Sequence, residues 1–227
     1  MDSHGPAYST PVERIGFGRH VAEATRRASI AVVAYVMLIG SGSAESFFAL
    51  PATTPSLKTV GEARPTRAWT RFCSQLPQEC TVNPFEPGRI SLNPHVWSTI
   101  VGVNERVNLT ILTVTDQDHW GVVDRWDYPT DGIGDCEDIQ LLKRKLLIEA
   151  GLPQRALRMT VVVDEHGEGH AVLMILTDRG DFILDNKRNT VLPWHETGYT
   201  YLMREGTSGK AWVALADQSA PVTTANR

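Results

Sequence analysis

The hydrophobic positions of the chain change period partway along it. In "NPHVWSTIVGVNERVNLTIL" (residues 93–112), Trp97, Ile100, Val101, Asn104 and Val107 recur at steps of three and four. That is the spacing of one face of a helix. In "GDCEDIQLLKRKLLIEAG" (134–151), Ile139, Leu142, Leu146 and Ala150 keep the same step, and Leu141, Leu147 and Ile148 widen the stripe. The pattern predicts a helix buried on most sides. Asp135 is placed to cap it, with Asp138 as the acid of a capping box. Gly151 and Pro153 end it. Beyond that point the pattern is that of strands: "LRMTVVVD" (157–164), "HAVLMIL" (170–176) and "DFILDN" (181–186), then "TVLPW" and "YTYLM". The turns "EHGEG" and "TDRG" separate the first three. Helices followed by antiparallel strands predict an α+β fold.

The remaining stretches read as connections. "TDQDHWGVVDRWDYPTDGIG" (115–134) is polar and carries Gly and Pro, so a long loop is expected there. Its Trp120 and Trp126 are core anchors or cleft walls, and the core role is the expectation for both. Residues 45–66 are rich in Pro, Thr, Ser and Ala and read as a flexible linker before a globular domain at 67–216. The tail "DQSAPVTTANR" (217–227) reads as disordered.

The N-terminus carries a different signal. Arg19, Arg26 and Arg27 precede the apolar run "ASIAVVAYVMLIG" (28–40), which is followed by the small residues "SGSA". A positive flank, a short apolar core and a small-x-small end match a secretory signal peptide, here residues 1–44. The alternative is an uncleaved anchor, although the run is short for a membrane span. Export would place the protein in the periplasm.

Composition narrows the functional classes. The 227 residues are 42% hydrophobic and 21% charged, enough for one domain with a sizeable core. Net charge is -4 with no long basic run, so nothing points to nucleic acid. There are three cysteines. Cys73 and Cys80, in "FCSQLPQEC", are close enough to close a small disulfide loop in an oxidising compartment. Cys136 is then left over, and an odd cysteine in an exported protein flags a reactive thiol.

Cys136 lies among Asp135, Glu137 and Asp138. Negative neighbours keep a thiol protonated. Its place at the first helical position acts in the other direction, because free N–H groups and the helix dipole favour a thiolate. An imidazole would decide the balance. His170 opens an apolar strand directly after a turn. If "TDRG" closes a hairpin, Leu176 opposes Asp181 and His170 opposes Lys187. Asp185 then lies one diagonal step from His170 on the same face. Cys136, His170 and Asp185 can therefore form a triad. Each also has a plainer role, as a small buried hydrophobe, a satisfied histidine or a turn residue, and spacing alone leaves both readings open.

"GDCEDI" opening a helix, "HAVL" on a strand and "LDN" on the next resemble the bacterial transglutaminase-like cysteine proteinases. This is the family of LapG-type periplasmic proteases that clip large surface adhesins. "VGVNERVN", "WDYP" and "LPW" resemble it too, over about residues 70–205. The resemblance implies a papain/transglutaminase-like fold, with the cysteine at the N-terminus of a helix packed on an antiparallel sheet. It implies Cys136 as nucleophile, His170 as base and Asp185 as orienting acid. It implies a protein substrate, a large surface adhesin, and an inner-membrane receptor as partner. It also implies calcium held by Asp135 and Glu137, with Asp138 and the "TDQD" acids Asp116 and Asp118 as further donors. Ile139 departs from the family motif, where an aromatic is expected. The same triad would also serve acyl transfer to an amine, and a calcium-dependent binding module with an idle triad is the non-enzymatic alternative.

Overall fold

The computed structural model describes residues 49–207 and 211–216. The expected signal segment 1–44 and the tail 217–227 lie outside the described residues. Among the described residues four α-helices form: α1 (Arg67–Gln75), α2 (Pro94–Thr110), α3 (Asp116–Trp120) and α4 (Cys136–Glu149). The same residues form nine strands: β1 (Thr59–Ala63), β2 (Leu112–Thr113), β3 (Ile133–Gly134), β4 (Leu157–Val163), β5 (Gly169–Thr177), β6 (Gly180–Leu184), β7 (Leu192–Pro193), β8 (Thr200–Glu205) and β9 (Trp212–Leu215). Seven of the strands make one sheet, in the order β1-β9-β8-β4-β5-β6-β7. Every pairing in it is antiparallel. The α+β expectation therefore holds.

The central strands β4, β5 and β6 are buried almost throughout, which is why they read as near-continuous apolar runs. Helix α4 packs on β5 and β4, and α2 packs on α4. The predicted β5–β6 register is observed, with Leu176 opposite Asp181. The ladder runs one pair further, to Thr177 and Gly180, so only Asp178 and Arg179 form the loop. Gly180 has φ 112°, and a Cβ there would collide with the Thr54 carbonyl.

Three expectations need correction. The first is the linker at 45–66. Residues 59–63 form β1, paired with β9 at the sheet edge. Upstream, Leu57 N donates to Asp181 Oδ2 (2.8 Å) and Thr54 N to Arg179 O (2.8 Å). Hydrogen bonds from the backbone hold residues 54–63, and β1 exposes nearly all its side chains, so no apolar pattern reports it. The second is the loop at 115–134, which contains α3 and, in β3, half of a short parallel pair with β2. Its two tryptophans divide: Trp126 is buried, whereas Trp120 is exposed. The third is the apolar stripe of α4. Lys143 and Arg144 are buried, and Leu142 and Leu146 are only partly so. Arg144 pairs with buried Glu205 at 3.1 Å and donates to Glu79 O at 2.6 Å. Long charged side chains buried inside the fold do not register in a hydrophobic period.

Cys73 and Cys80 form a disulfide with Cα atoms 5.7 Å apart. It ties α1 to the 3₁₀ turn at Pro77–Cys80. Trp69 of α1 packs edge-on against Trp126 (5.3 Å between centroids) and Trp212 (5.8 Å). That aromatic cluster anchors the loop before α4 to α1 and to β9.

Candidate active site

Gly134 and Asp135 lead into α4 and place Cys136 at its first residue. A Cβ on Gly134 would lie 2.8 Å from Asp138 Cβ and 3.1 Å from Pro129 Cβ, so this approach to the helix requires glycine. Asp135 occupies the N-cap position, but its side chain makes no capping hydrogen bond. It accepts instead from Asp116 N (3.2 Å). Asp138 accepts from Asp127 N (2.7 Å) rather than closing a capping box. The acids at the start of α4 thus reach sideways to α3 and the loop after it.

Cys136 is the remaining thiol, and it is buried. Its Sγ donates to Glu137 Oε2 at 3.0 Å. Burial pushes the thiol up, and Glu137 and Asp135 push it further, against one hydrogen bond from the Ala171 backbone. Cys136 and His170 line the same small cavity with Asp124, Trp126, Glu137, Val161, Gly169 and Ala171.

His170 sits near the start of β5, opposite Val162 of β4. Its Nε2 is 2.9 Å from Asp185 Oδ1. A carboxylate only accepts, so the proton of neutral His170 is on Nε2 and Nδ1 carries the lone pair. Asp185 directly follows β6, and the loop it opens is held by α2. Asn108 Nδ2 donates to Asp185 O (2.9 Å), and Asn104 Nδ2 donates to Asn189 O (2.8 Å). Asp185 also accepts from Lys187 N (3.0 Å) and Tyr199 Oη (2.5 Å). Burial would raise its pKa, but the hydrogen bonds from His170, Tyr199 and Lys187 outweigh burial and hold the carboxyl at about 2.

Beside Cys136 the acids converge. Asp116, Asp135 and Asp138 form one group, and Asp116, Asp124 and Glu137 another. Within each group the oxygens lie within 4.8 Å of one another. Burial and then Asp135 push Asp116 up to about 6. Burial pushes Asp138 up to about 8, with Asp135, Asp116 and Asp127 adding to it. Glu137 and Asp124 are raised as well, by burial first. A donor set made only of carboxylate oxygens, crowded and short of positive charge, suits a hard cation such as calcium.

The structure brings together Cys136, His170 and Asp185 and, separately, Asp135, Glu137, Asp138 and Asp116. It does not bring in Asp118, whose carboxylate accepts from Thr115 Oγ1 at the α3 N-terminus. Sequence reading missed Asp124, which is set in place by the Trp126 indole donating at 3.0 Å. It also missed Tyr199. Asn104 and Asn108, one turn apart on an apolar helix, were the legible sign that α2 braces a neighbouring loop.

The family described as "Bacterial transglutaminase-like cysteine proteinase BTLCP" matches residues 59–220. Among solved structures, Legionella pneumophila LapG in its calcium-bound form is 21% identical, with 72% of this chain and 87% of that chain covered and a TM-score of 0.46. A second Legionella pneumophila LapG structure is 23% identical (66% and 82% covered, TM-score 0.46). The EGTA-treated form is 24% identical (68% and 84% covered, TM-score 0.46). A comparison with curated proteins finds no match. The family match spans well over half of the chain, so the chain belongs to the bacterial transglutaminase-like cysteine proteinases and is a cysteine peptidase of that type.

Proposed function

We propose that the protein is an exported cysteine endopeptidase using Cys136, His170 and Asp185 as a triad. One observation carries this reading: the 2.9 Å His170–Asp185 contact sits at a cavity shared with a cysteine at a helix N-terminus. His170 Nδ1 takes the thiol proton and Cys136 Sγ attacks the scissile carbonyl carbon. Asp185 holds the ring and stabilises the imidazolium. The Cys136 backbone N–H, unpaired within the first turn of α4, donates to the developing oxyanion. His170 returns the proton to the leaving amine. A water then opens the thioester, with His170 as base.

Calcium is part of this proposal, with ligands drawn from Asp135, Glu137, Asp138, Asp116 and Asp124. When bound, it supplies positive charge against the carboxylate field that holds the Cys136 thiol protonated. The family resemblance supports a large surface adhesin as substrate and an inner-membrane receptor as partner. The apolar run at 28–40 with its small-residue end supports a periplasmic location.

The test is cleavage of a purified adhesin fragment. Cys136→Ala and His170→Ala abolish it with circular dichroism unchanged. Cys136→Ser is nearly as inactive, because a hydroxyl ionises far less readily. Iodoacetamide modifies Cys136 in the wild type. Addition of a primary amine leaves the hydrolysis products unaltered. Cleavage at the wild-type rate by Cys136→Ala would end the assignment, and capture of the amine would redirect it to acyl transfer.

A further inference from the structure

Asp185 has a partner that the triad does not account for. Tyr199 Oη donates to Asp185 Oδ2 at 2.5 Å. The other oxygen, Oδ1, takes His170 Nε2 at 2.9 Å and Lys187 N at 3.0 Å. The Tyr199 ring also stands edge-on to the imidazole, with centroids 5.7 Å apart and planes at 81°. One side chain therefore touches both members of the acid–base pair.

The local chain is built to present it. Gly198 takes φ 79°, turning the backbone just before β8. Tyr199 N donates to Thr197 Oγ1 at 3.3 Å. Burial, and then the Asp185 carboxylate, push the phenol up, so it stays a proton donor at any working pH. The other charged groups facing Asp185 are Lys143 from α4 and Lys187 and Arg188 from its own loop.

We propose that Tyr199 is a positioning residue for the acid–base pair. Its phenol fixes the rotation of the Asp185 carboxylate so that Oδ1 faces His170 Nε2 and Nδ1 is held for the thiol of Cys136. The terminal torsion of an aspartate is soft and broad. Two donors on one oxygen and a charge-assisted donor on the other remove that freedom. This inference rests on the triad reading of Cys136, His170 and Asp185.

Tyr199→Phe keeps the ring against His170 and removes only the hydroxyl. The expected result is a kcat about 10- to 100-fold lower, the scale of one hydrogen bond to a charged group. KM and the thermal midpoint stay at the wild-type values. The low-field proton resonance of His170 Nε2–H shifts or broadens. Asp185→Asn alone lowers kcat, and adding Tyr199→Phe to it costs nothing more, because the phenol acts only through Asp185. Should Tyr199→Phe melt early, Tyr199→3-fluorotyrosine retains the fold, changes the donor's acidity and must move the same resonance. Wild-type kcat in Tyr199→Phe, losses that multiply in the double variant, or an unmoved resonance would each overturn the role. A fully active Asp185→Asn would instead remove the triad reading beneath it, and Tyr199's role with it.

Discussion

Two sets of carboxylates flank the cavity of Cys136 and His170. Asp185 is 3% exposed, and Asp116, Glu137 and Asp138 are 2%, 4% and 3% exposed. Burial is thus equal, yet Asp185 is held at about 2 while Asp138 rises to about 8. The difference lies in the neighbours. Asp185 receives hydrogen bonds from His170, Tyr199 and the Lys187 amide, and Lys143 is nearby. The acids beside Cys136 face mainly one another. Burial sets the cost of an uncompensated charge, and the donors decide whether it is met. The His170 side is completed by the protein itself, whereas on the Cys136 side the proposed calcium would supply the missing positive charge.

The largest expected effect breaks the completed side. Asp185→Ala removes the partner of His170 and, under the proposed triad, should lower kcat at least about 1,000-fold, since triad members act as a unit. A cleavage assay beside circular dichroism checks it. The next effect tests the uncompleted side. Calcium at a hundredfold excess over its Kd should stabilise metal-stripped protein by about 2.7 kcal/mol, read as a rise in thermal midpoint and reversed by chelation. Glu137→Ala should weaken calcium binding in isothermal titration. Asp138→Asn keeps an acceptor for the Asp127 amide and removes one repelling charge. Without calcium it should melt no lower than wild type, and its calcium response should shrink. A calcium response of full size would contradict the contrast.

Lys143 sharpens the comparison from the other direction. It is fully buried, its Nζ has no hydrogen-bond partner among the described residues, and burial lowers it to about 7 despite Asp185. The unfolded chain therefore holds more protons than the folded one between pH 7 and 10.5, so stability should rise with pH across that window. The change is at most about 5 kcal/mol. Lys143→Met should be more stable at pH 7 and lose the slope, as urea unfolding at several pH values would reveal. The smallest effect concerns Asp164. Burial would raise it, but Lys187 at 2.5 Å and the Glu168 and His166 amides hold it at about 2. Its contribution is present above pH 3.8 and is lost as pH falls towards 2. Because Lys187 is partly exposed, Asp164→Asn should flatten that acid limb by only about 1 kcal/mol.

Strands β4 to β6 were legible because their burial on both faces writes apolar runs into the sequence. Their register was legible because the turn is short. That register also placed Asp185 beside His170. The positions that escaped reading did so for physical reasons. Strand β1 is held by its backbone and exposes its side chains. Arg144 and Lys143 occupy buried positions that a hydrophobic period assigns to leucine. Asp124 and Tyr199 reach the site from loops whose course depends on packing elsewhere, the first on Trp126 and the second on the Gly198 turn. Asp135 was read as a cap because capping is a local rule, but its side chain turns to α3, a contact 19 residues back in the chain.

His170 and Asp185 lie only 15 residues apart, on two arms of a single hairpin. Cys136 comes from a separate helix. Closing a short loop is entropically cheap and fast. In a refolding chain His170 and Asp185 are thus expected to meet ahead of Cys136, and under the proposed triad reactivity would appear only when α4 docks. On the proposed roles, that order would keep the Cys136 sulfur from meeting its base until the last step.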